Sequence, residues 1–224
     1  MATKVLSLLF LACFGQNSLK TENAWVSICF QDARAVSLPL IRSVLSMAFS
    51  STDSVFTFRP GTVADAPLLA DLGWRTFDET FATYNKPEDM EAFHPTMYAP
   101  ELQAAELAEA ETEFLIVEVN GEAVAYVKWN TAPAPAEIPG QKPFQISRLY
   151  LLQAWTGRGL GDKLMQLSLE KAKENGHDVV WLTVWESNER AIRFYQKYGF
   201  KEAGELTFVL GQDVQRDLYM MREV

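Results

Sequence analysis

The sequence predicts a mixed α/β fold in which helices cover both faces of a largely antiparallel central sheet. Two alternating apolar and polar runs, residues 112–119 and 123–129, flank Asn120-Gly121, and this dipeptide between such runs is a strong signal for a β-hairpin. A further hydrophobic strand, residues 144–152, leads through glycines into a helical segment and then into another buried apolar run. A strand, helix, strand order places parallel neighbours in a sheet, whereas a hairpin places antiparallel ones, so the predicted sheet contains both.

The part of the chain before the hairpin is predicted to hold one strand and three helices. Residues 55–59 alternate and are followed by Pro60-Gly61, which indicates a strand that ends in a turn. Asp65 can cap the helix that follows, because apolar residues recur at helical spacing from Ala66 to about Tyr84. Two more helical segments start with proline, which suits the first helical turn. One begins at Pro87, and the other spans residues 100–110.

The part after the hairpin is predicted to hold two helices and four strands. The proline-containing residues 132–136 cannot keep pairing in a sheet and form a loop. The predicted elements are a strand at 144–152, a helix at 159–175, a strand at 179–185, a helix at 188–198, and strands at about 200–210 and 215–222.

The charge balance and the scarcity of metal ligands disfavour several classes of protein. The chain has 20 Lys and Arg residues against 29 Asp and Glu, a net charge of -9, whereas a nucleic-acid binder needs clustered cations for the phosphates. With 2 Cys and 2 His residues, neither a structural zinc site nor a disulfide scaffold is expected, and we predict no metal. No apolar run approaches the ~20 residues of a membrane-spanning helix, so we expect no membrane partner.

Residues 1–46 differ in composition from the remainder and are predicted to be an extension. They hold both cysteines and four cations against two anions, whereas residues 47–224 hold 16 cations against 27 anions, a net charge of -11. Lys4 and the apolar residues 5–14 are similar to a short secretory signal, but no small-residue cleavage site follows. We therefore expect one cytoplasmic domain at residues 47–224, preceded by a misassigned start or a poorly ordered arm. Its acidic charge favours cationic partners.

A glycine-rich turn separates the predicted strand at 144–152 from the helix that follows. Gly157, Gly159 and Gly161 permit left-handed dihedral angles and let backbone amides approach a ligand without obstruction by Cβ atoms. Amides exposed at a helix N-terminus bind phosphate. The spacing matches neither a nucleotide P-loop nor the dinucleotide-binding pattern. Taken alone, the turn is equally compatible with a strand-to-helix connection that binds no ligand.

The glycine turn and the later segment at residues 188–200, Asn-Glu-Arg-Ala-Ile-Arg-Phe-Tyr-Gln-Lys-Tyr-Gly-Phe, together resemble the GNAT superfamily of acyl-CoA-dependent N-acyltransferases. The resemblance extends from about Phe56 to Val224 and implies the GNAT fold. Several dispersed segments are also similar to the bacterial PaiA-type spermidine/spermine N-acetyltransferases, and these lie at residues 76–81, 121–128, 181–186, 208–211 and 217–220.

The resemblance implies that acetyl-CoA is a co-substrate and that the turn holds the pyrophosphate of coenzyme A. Thr156 stands where the family usually has Gln or Arg, which removes one phosphate donor and leaves the backbone amides. The residues that the resemblance assigns to coenzyme binding are Leu149, Tyr150, Leu151, Thr156, Gly157, Arg158, Gly159, Leu160, Gly161, Asp162, Asn188 and Lys197. Read from the residues alone, Asn188 is a helix N-cap and Lys197 a solvated surface residue.

Tyr195 falls at the position of the family's general acid, where a phenol protonates the departing sulfur. Its alternative role is core packing within an aromatic cluster. Many members of the family carry a Glu base on the strand before the glycine turn, but that strand offers Gln145 and Ser147 here. Glu186, directly after the next buried strand, is our candidate for the missing carboxylate, and His94 is the weaker alternative because a lone histidine in a helical connector is usually structural or solvated.

The expected activity is transfer of the acetyl group from acetyl-CoA to a primary amine of a small polycation such as spermidine or spermine. One alternative is acetylation of a protein N-terminus or of another small amine. A second alternative is an acetyl-CoA-sensing regulatory module without turnover. The sequence leaves open which amine is accepted and whether the chain forms a homodimer.

Overall fold

The computed structural model describes residues 56–224 together with two short strands, β1 (Lys20–Thr21) and β2 (Ala24–Trp25), which pair antiparallel. Apart from those four positions, the predicted extension at residues 1–46 lies outside the described residues, so its assignment stays a prediction. In the described part of the chain, no helix has both the length and the apolar character needed to cross a membrane.

The other strands form one seven-stranded sheet, and the predicted mixed, largely antiparallel fold is confirmed. The spatial order of its strands is β3-β4-β5-β6-β7-β9-β8, and β6 and β7 are the parallel pair in this sheet. In chain order the elements are β3 (Phe56–Pro60), α1 (Ala66–Phe81), α2 (Pro87–Met97), α3 (Pro100–Ala108), β4 (Thr112–Val119), β5 (Glu122–Asn130), β6 (Pro143–Leu151), α4 (Leu160–Glu174), β7 (Val179–Trp185), α5 (Glu189–Lys197), β8 (Lys201–Leu210) and β9 (Asp213–Glu223).

Two predicted helices end earlier than expected, for local reasons. Helix α1 stops at Phe81 rather than near Tyr84, and the side-chain amide of Asn85 donates to the carbonyl of Phe81 at 2.9 Å, which satisfies a group at the helix end. Helix α3 stops at Ala108 because the backbone of Glu109 is extended.

The β4–β5 hairpin has the turn that its sequence predicts. Asn120 and Gly121 both have positive φ, 53° and 84°, as a two-residue type I′ turn requires, and Val119 pairs with Glu122 across it.

Helices pack on both faces of the sheet. On one face, Leu164 and Met165 of α4 are fully buried against β5, β6 and β7, and α5 packs beside them. On the other face, Leu69 and Leu72 of α1 pack on β4 and β5, with α2 and α3 close by. These buried apolar surfaces provide most of the driving force for folding.

The parallel pair β6–β7 opens into a gap. Its register runs only from Pro143 opposite Val179 to Gln145 opposite Trp181. Beyond that point β6 continues along β5, and β7 continues along β9, so the two strands diverge. A β-bulge at Ser147, where Arg148 and Ile146 pair with the consecutive residues Lys128 and Trp129, lies at the start of the divergence. The sheet thus holds a wedge-shaped opening between its two halves.

A buried cluster of charged side chains links α3 to the strands β5 and β6 near the start of this opening. Glu106 of α3 accepts two hydrogen bonds from Arg148, at 2.7 and 2.9 Å, and its carboxylate lies 2.8 Å from Nζ of Lys128. Both cations are buried, at 7% and 8% exposure. Burial raises the pKa of Glu106, but the two neighbouring cations more than offset that effect and hold the pKa below its usual value.

We expect Glu106→Gln to destabilise the fold by ~3–5 kcal/mol at pH 7, because it leaves two buried cations without their carboxylate. Because the pKa of Glu106 is depressed in the folded state, its contribution is present at neutral pH and is lost as the pH falls through the folded-state pKa. Urea unfolding at several pH values measures this, with the exposed Glu101→Gln on the same helix as the control. Equal stability of the two variants at pH 7 would contradict the prediction.

Candidate functional site

The glycine turn between β6 and α4 is open on its outer side. Gly157 and Gly159 have φ of 74° and 80°, a left-handed backbone that other residues adopt only under strain. A Cβ atom built on either glycine meets no atom within 4 Å. Helix α4 begins directly afterwards, and the N–H groups of its first turn have no carbonyl partner within the helix. The turn therefore presents unshielded amides at the positive end of a helix dipole, an arrangement that binds phosphate.

A cavity of about 370 Å³, which we call the glycine cavity, lies against this turn. Most residues that the sequence assigned to coenzyme binding line it, and these are Leu149, Tyr150, Leu151, Thr156, Gly157, Gly159, Gly161, Asp162 and Asn188. The structure adds side chains from α1 and α5 that the sequence did not indicate, namely Thr76, Thr80, Phe81, Arg190, Ala191 and Phe194. Residues of α1, β6 and α5 form the apolar part of the cavity, and the turn forms its polar end.

Three residues assigned to coenzyme binding do not line the cavity. Leu160 is 2% exposed and belongs to the core. The guanidinium of Arg158 lies over the ring of Trp155, 4.9 Å from its centre. Lys197 points to Asp162, with Nζ 2.6 Å from Oδ1. A direct contact of these three side chains with a ligand in this cavity stays a prediction.

Asp162 places a carboxylate at the rim of a cavity suited to phosphate, and two side chains compensate its charge. Lys197 and the hydroxyl of Tyr198 both donate to Oδ1, each at 2.6 Å. These hydrogen bonds hold the pKa of Asp162 below its usual value. Lys197 therefore neutralises an acid beside the turn.

The start of α5 contributes two polar groups to the glycine cavity. Asn188 is the predicted N-cap, since its side-chain oxygen accepts from the amide of Ala191 at 3.2 Å. Its amide nitrogen remains available for a ligand. Arg190 supplies a cation to the same cavity. In the sequence, the only indication that Arg190 belongs to the site is its position two residues after the N-cap Asn188.

A second cavity of about 220 Å³, which we call the aromatic cavity, lies in the opening between β6 and β7 and shares Leu149, Tyr150 and Tyr195 with the glycine cavity. Ser147 and Leu149 of β6 and Thr183 of β7 belong to its wall. A large part of its remaining wall is aromatic, from Phe77, Phe81, Phe93, Tyr98, Tyr150, Trp185, Tyr195 and Phe208. Such walls bind apolar chains and attract cations through the ring faces.

The carboxylate in the wall of the aromatic cavity belongs to Asp217 of β9, a residue that the sequence analysis missed. Its Oδ1 atom is buried and has no hydrogen-bond partner among the described residues. Burial raises the pKa of Asp217 to about 6. The carboxyl group therefore changes charge just below neutral pH and is mostly ionised at pH 7.

Tyr195 lines both cavities and lies where they meet. Its hydroxyl makes no hydrogen bond within the described residues, and its ring packs against Phe194 and Phe200. Burial, with a smaller effect from Tyr150, raises the pKa of Tyr195 above its usual value near 10. The phenol is therefore protonated at neutral pH and free to donate its proton.

The structure does not bring Glu186, the base suggested by the sequence, to either cavity. Arg216 holds it, with Nε 2.7 Å from Oε2, and also binds Glu205 at 2.8 Å. These residues line a surface groove, the acidic groove, together with Asp213. The groove shares Trp185, Leu206 and Gln215 with the aromatic cavity and so adjoins it. Arg216 is shared by two carboxylates and so compensates only part of their charge, and with Asp213 the groove keeps an excess of acids.

Within the part of the chain that the structure describes, no group of three His, Cys, Asp or Glu side chains is arranged to hold a metal ion.

Comparison with known proteins gives matches over the same region. The model of the acetyltransferase (GNAT) family matches residues 74–200. An uncharacterized N-acetyltransferase of Lactobacillus delbrueckii subsp. lactis is 34% identical over 158 residues, which cover 70% of this chain and 91% of the relative. The PaiA N-acetyltransferase of Thermoplasma acidophilum, solved in complex with coenzyme A, has a TM-score of 0.61 at 19% identity and covers 76% of this chain and 99% of that chain.

Two relatives with named activities match shorter segments. An N-alpha-acetyltransferase of Sulfurisphaera tokodaii is 32% identical over 123 residues, 51% of this chain and 71% of the relative. A spermine/spermidine N(1)-acetyltransferase of Bacillus subtilis is 28% identical over 89 residues, 39% of this chain and 59% of the relative.

Proposed function

Because this chain belongs to the acetyltransferase (GNAT) family, with acetyl-CoA as co-substrate, we propose that it acetylates a primary amine and that this amine is a polyamine such as spermidine or spermine. The observation that carries the proposal is the place of Tyr195 between two cavities of different character. One cavity ends in a phosphate-binding turn, and the other has aromatic walls and one carboxylate. A donor and an acceptor can therefore meet at the phenol from opposite sides.

The residues around the point where the two cavities meet have separate roles in the reaction. The amides of the glycine turn and Arg190 hold the phosphates of the coenzyme, while the diverging strand β6 presents backbone groups to its chain. Tyr195 donates its proton to the sulfur that leaves the acetyl group, which avoids release of a free thiolate. Positioning of both substrates in the opening between β6 and β7 supplies much of the rate enhancement.

Three observations favour a polyamine over other primary amines as the acceptor. Residues 47–224 carry a net charge of -11, which attracts polycations. The acidic groove adjoins the aromatic cavity, so an extended amine with one end in the cavity has carboxylates beside its other end. The Bacillus subtilis relative is a spermine/spermidine acetyltransferase. Acetylation of a protein N-terminus is the second candidate, because the Sulfurisphaera tokodaii relative is an N-alpha-acetyltransferase.

We expect the protein to release coenzyme A thiol from acetyl-CoA in the presence of spermidine or spermine, and to do so less efficiently with butylamine or with a peptide that has a free N-terminus. The polyamines should have the lower KM, and their KM should rise with salt because fixed carboxylates attract them. A thiol-release assay with these amines at low and moderate salt tests the proposal. Equal kcat/KM for spermidine and butylamine at both salt concentrations would contradict a polyamine substrate, and a preference for the peptide would favour the second candidate.

We expect Glu186→Gln to raise the KM for spermidine by about two- to fivefold and to leave the KM for butylamine unchanged. The change removes one carboxylate from the groove, and an exposed charge pair contributes at most about 1 kcal/mol. Steady-state kinetics of Glu186→Gln measure this, with Glu202→Gln, an exposed acid on β8 outside the groove, as the matched control. If Glu186→Gln instead lowers kcat for both amines, Glu186 takes part in the chemistry as the sequence suggested.

A further inference from the structure

Acetyl transfer to an amine requires a proton acceptor, because a primary amine with a pKa near 10.4 is a cation at neutral pH and cannot attack a carbonyl. The strand before the glycine turn offers Gln145 and Ser147, and their side chains hydrogen-bond each other at 3.0 Å. Neither accepts a proton at neutral pH. This wall of the strand opening therefore lacks a base.

The opposite wall of the opening contains the carboxylate of Asp217. Residue 217 pairs with Trp185, the last residue of β7, and thus lies where β7 has moved away from β6. Its side chain lines the aromatic cavity that also contains the phenol of Tyr195 and Ser147. A base on β9 therefore shares one cavity with Tyr195, on the wall opposite to Ser147 of β6.

From this placement, and resting on the proposed function, we infer that Asp217 binds the ammonium group of the acceptor in the aromatic cavity and takes its proton before acetyl transfer. Among the described residues, Oδ1 of Asp217 is a buried acceptor without a donor, and no cation lies within ion-pair distance of this side chain. An ammonium group supplies both the missing donor and the missing positive charge.

The proton balance of the step is complete with the residues present. An ammonium proton passes to the carboxylate of Asp217, and the freed nitrogen lone pair forms the C–N bond to the thioester carbonyl. When the C–S bond breaks, the sulfur receives the proton of Tyr195. The second proton of the nitrogen restores the phenol, and Asp217 releases its proton to solvent.

The other titratable groups around the aromatic cavity do not change charge near neutral pH. Burial raises the pKa values of Tyr98, Tyr150 and Tyr195, so these phenols stay neutral. Arg148 stays charged, and its guanidinium is bound by Glu106. The nearest acids on the neighbouring elements, Glu186 directly after β7 and Glu205 on β8, are bound by Arg216 outside the cavity. The two histidines lie elsewhere, His94 against Trp74 and His177 against Phe144, and neither lines the aromatic cavity. An ionisation near pH 6 that is lost in Asp217→Asn therefore belongs to Asp217.

The test compares wild type with Asp217→Asn, Asp217→Glu and, as a matched control, the exposed Glu223→Gln at the far end of β9. We expect kcat/KM of the wild type for spermidine to rise with pH through an apparent pKa of about 6, because the ammonium binds the ionised carboxylate. Asp217→Asn should lose this rise and lower kcat by roughly 10²–10⁴-fold, and Asp217→Glu should recover part of both. Glu223→Gln should behave as wild type.

A binding measurement separates this inference from the proposed function. With non-reacting coenzyme A present, spermidine should raise the melting temperature of wild type at pH 8 but not at pH 5, and should not raise that of Asp217→Asn. An Asp217→Asn enzyme with the kcat and the pH profile of wild type overturns the inference and leaves the proposed function intact. If the wild type acetylates no amine, the proposed function fails. In that case, a rise in melting temperature with spermidine that is lost in Asp217→Asn still supports a cation site at Asp217. If the wild type shows no such rise, the cation site is overturned as well.

Discussion

Tyr195→Phe is expected to lower kcat by roughly 10²–10⁴-fold while the affinity for acetyl-CoA stays the same. The substitution removes only the hydroxyl, which makes no hydrogen bond within the described residues, and keeps the ring that packs against Phe194 and Phe200. The fold and the glycine cavity are therefore preserved, and what is lost is the proton for the departing sulfur. Steady-state kinetics with saturating amine measure kcat, and the thermal shift with coenzyme A measures binding.

Tyr219→Phe is the matched control, because Tyr219 is a tyrosine of β9 that packs against Trp181 and lines neither cavity. It should retain the kcat of wild type. If Tyr195→Phe also turns over at the wild-type rate, Tyr195 is a packing residue and water protonates the sulfur.

Gly159→Val is expected to abolish the stabilisation of the protein by acetyl-CoA. At a ligand concentration 100-fold above Kd, the wild type should gain ~2.7 kcal/mol, and the variant should gain nothing. The reason is steric, because Gly159 lines the glycine cavity and its Cβ position is open space in which a branched side chain would displace the phosphate. Thermal unfolding with and without acetyl-CoA measures the difference.

The backbone strain of this substitution needs its own control. Gly159 has φ of 80°, so valine at this position also destabilises the protein without ligand by ~1–3 kcal/mol. Gly176, at the other end of α4, has φ of 69° and equally open surroundings, and it lines none of the cavities described above. Gly176→Val should lose comparable stability but keep the full shift with acetyl-CoA. Equal ligand shifts for both variants would exclude the glycine turn as the phosphate site.

The sequence predicted the features that depend on local backbone requirements. Asn120-Gly121 needs positive φ at both positions and gave the correct hairpin, and Gly157 and Gly159 gave the correct strand-to-helix turn. Asn188 was correctly predicted as a helix cap for the same kind of reason. These signals are readable because neighbouring residues along the chain determine them.

The features that the sequence did not reveal depend on contacts between distant residues. Glu186 looked available as a base, but Arg216, which holds it, lies 30 positions later and reaches it only through the register of β7 and β9. Asp217 looked like an ordinary polar residue of a half-exposed strand. Its Oδ1 atom is buried in a cavity whose aromatic wall includes side chains of α1 and α2, more than 100 positions earlier in the chain.

The two cavities also differ in which stretches of the chain encode them. The wall of the glycine cavity comes from three residues of α1 and from residues 149–195, all within the segment that matches the family. Most of the wall of the aromatic cavity lies in the same segment, but the family match ends at residue 200, and the part of the wall from β8 and β9 lies beyond it, namely Leu206, Phe208, Leu210, Gln215 and Asp217. Substitutions in β8 and β9 can therefore alter the wall of the aromatic cavity without replacing a residue of the glycine cavity. The family match thus covers every residue of the glycine cavity, whereas it does not reach the strand that carries Asp217.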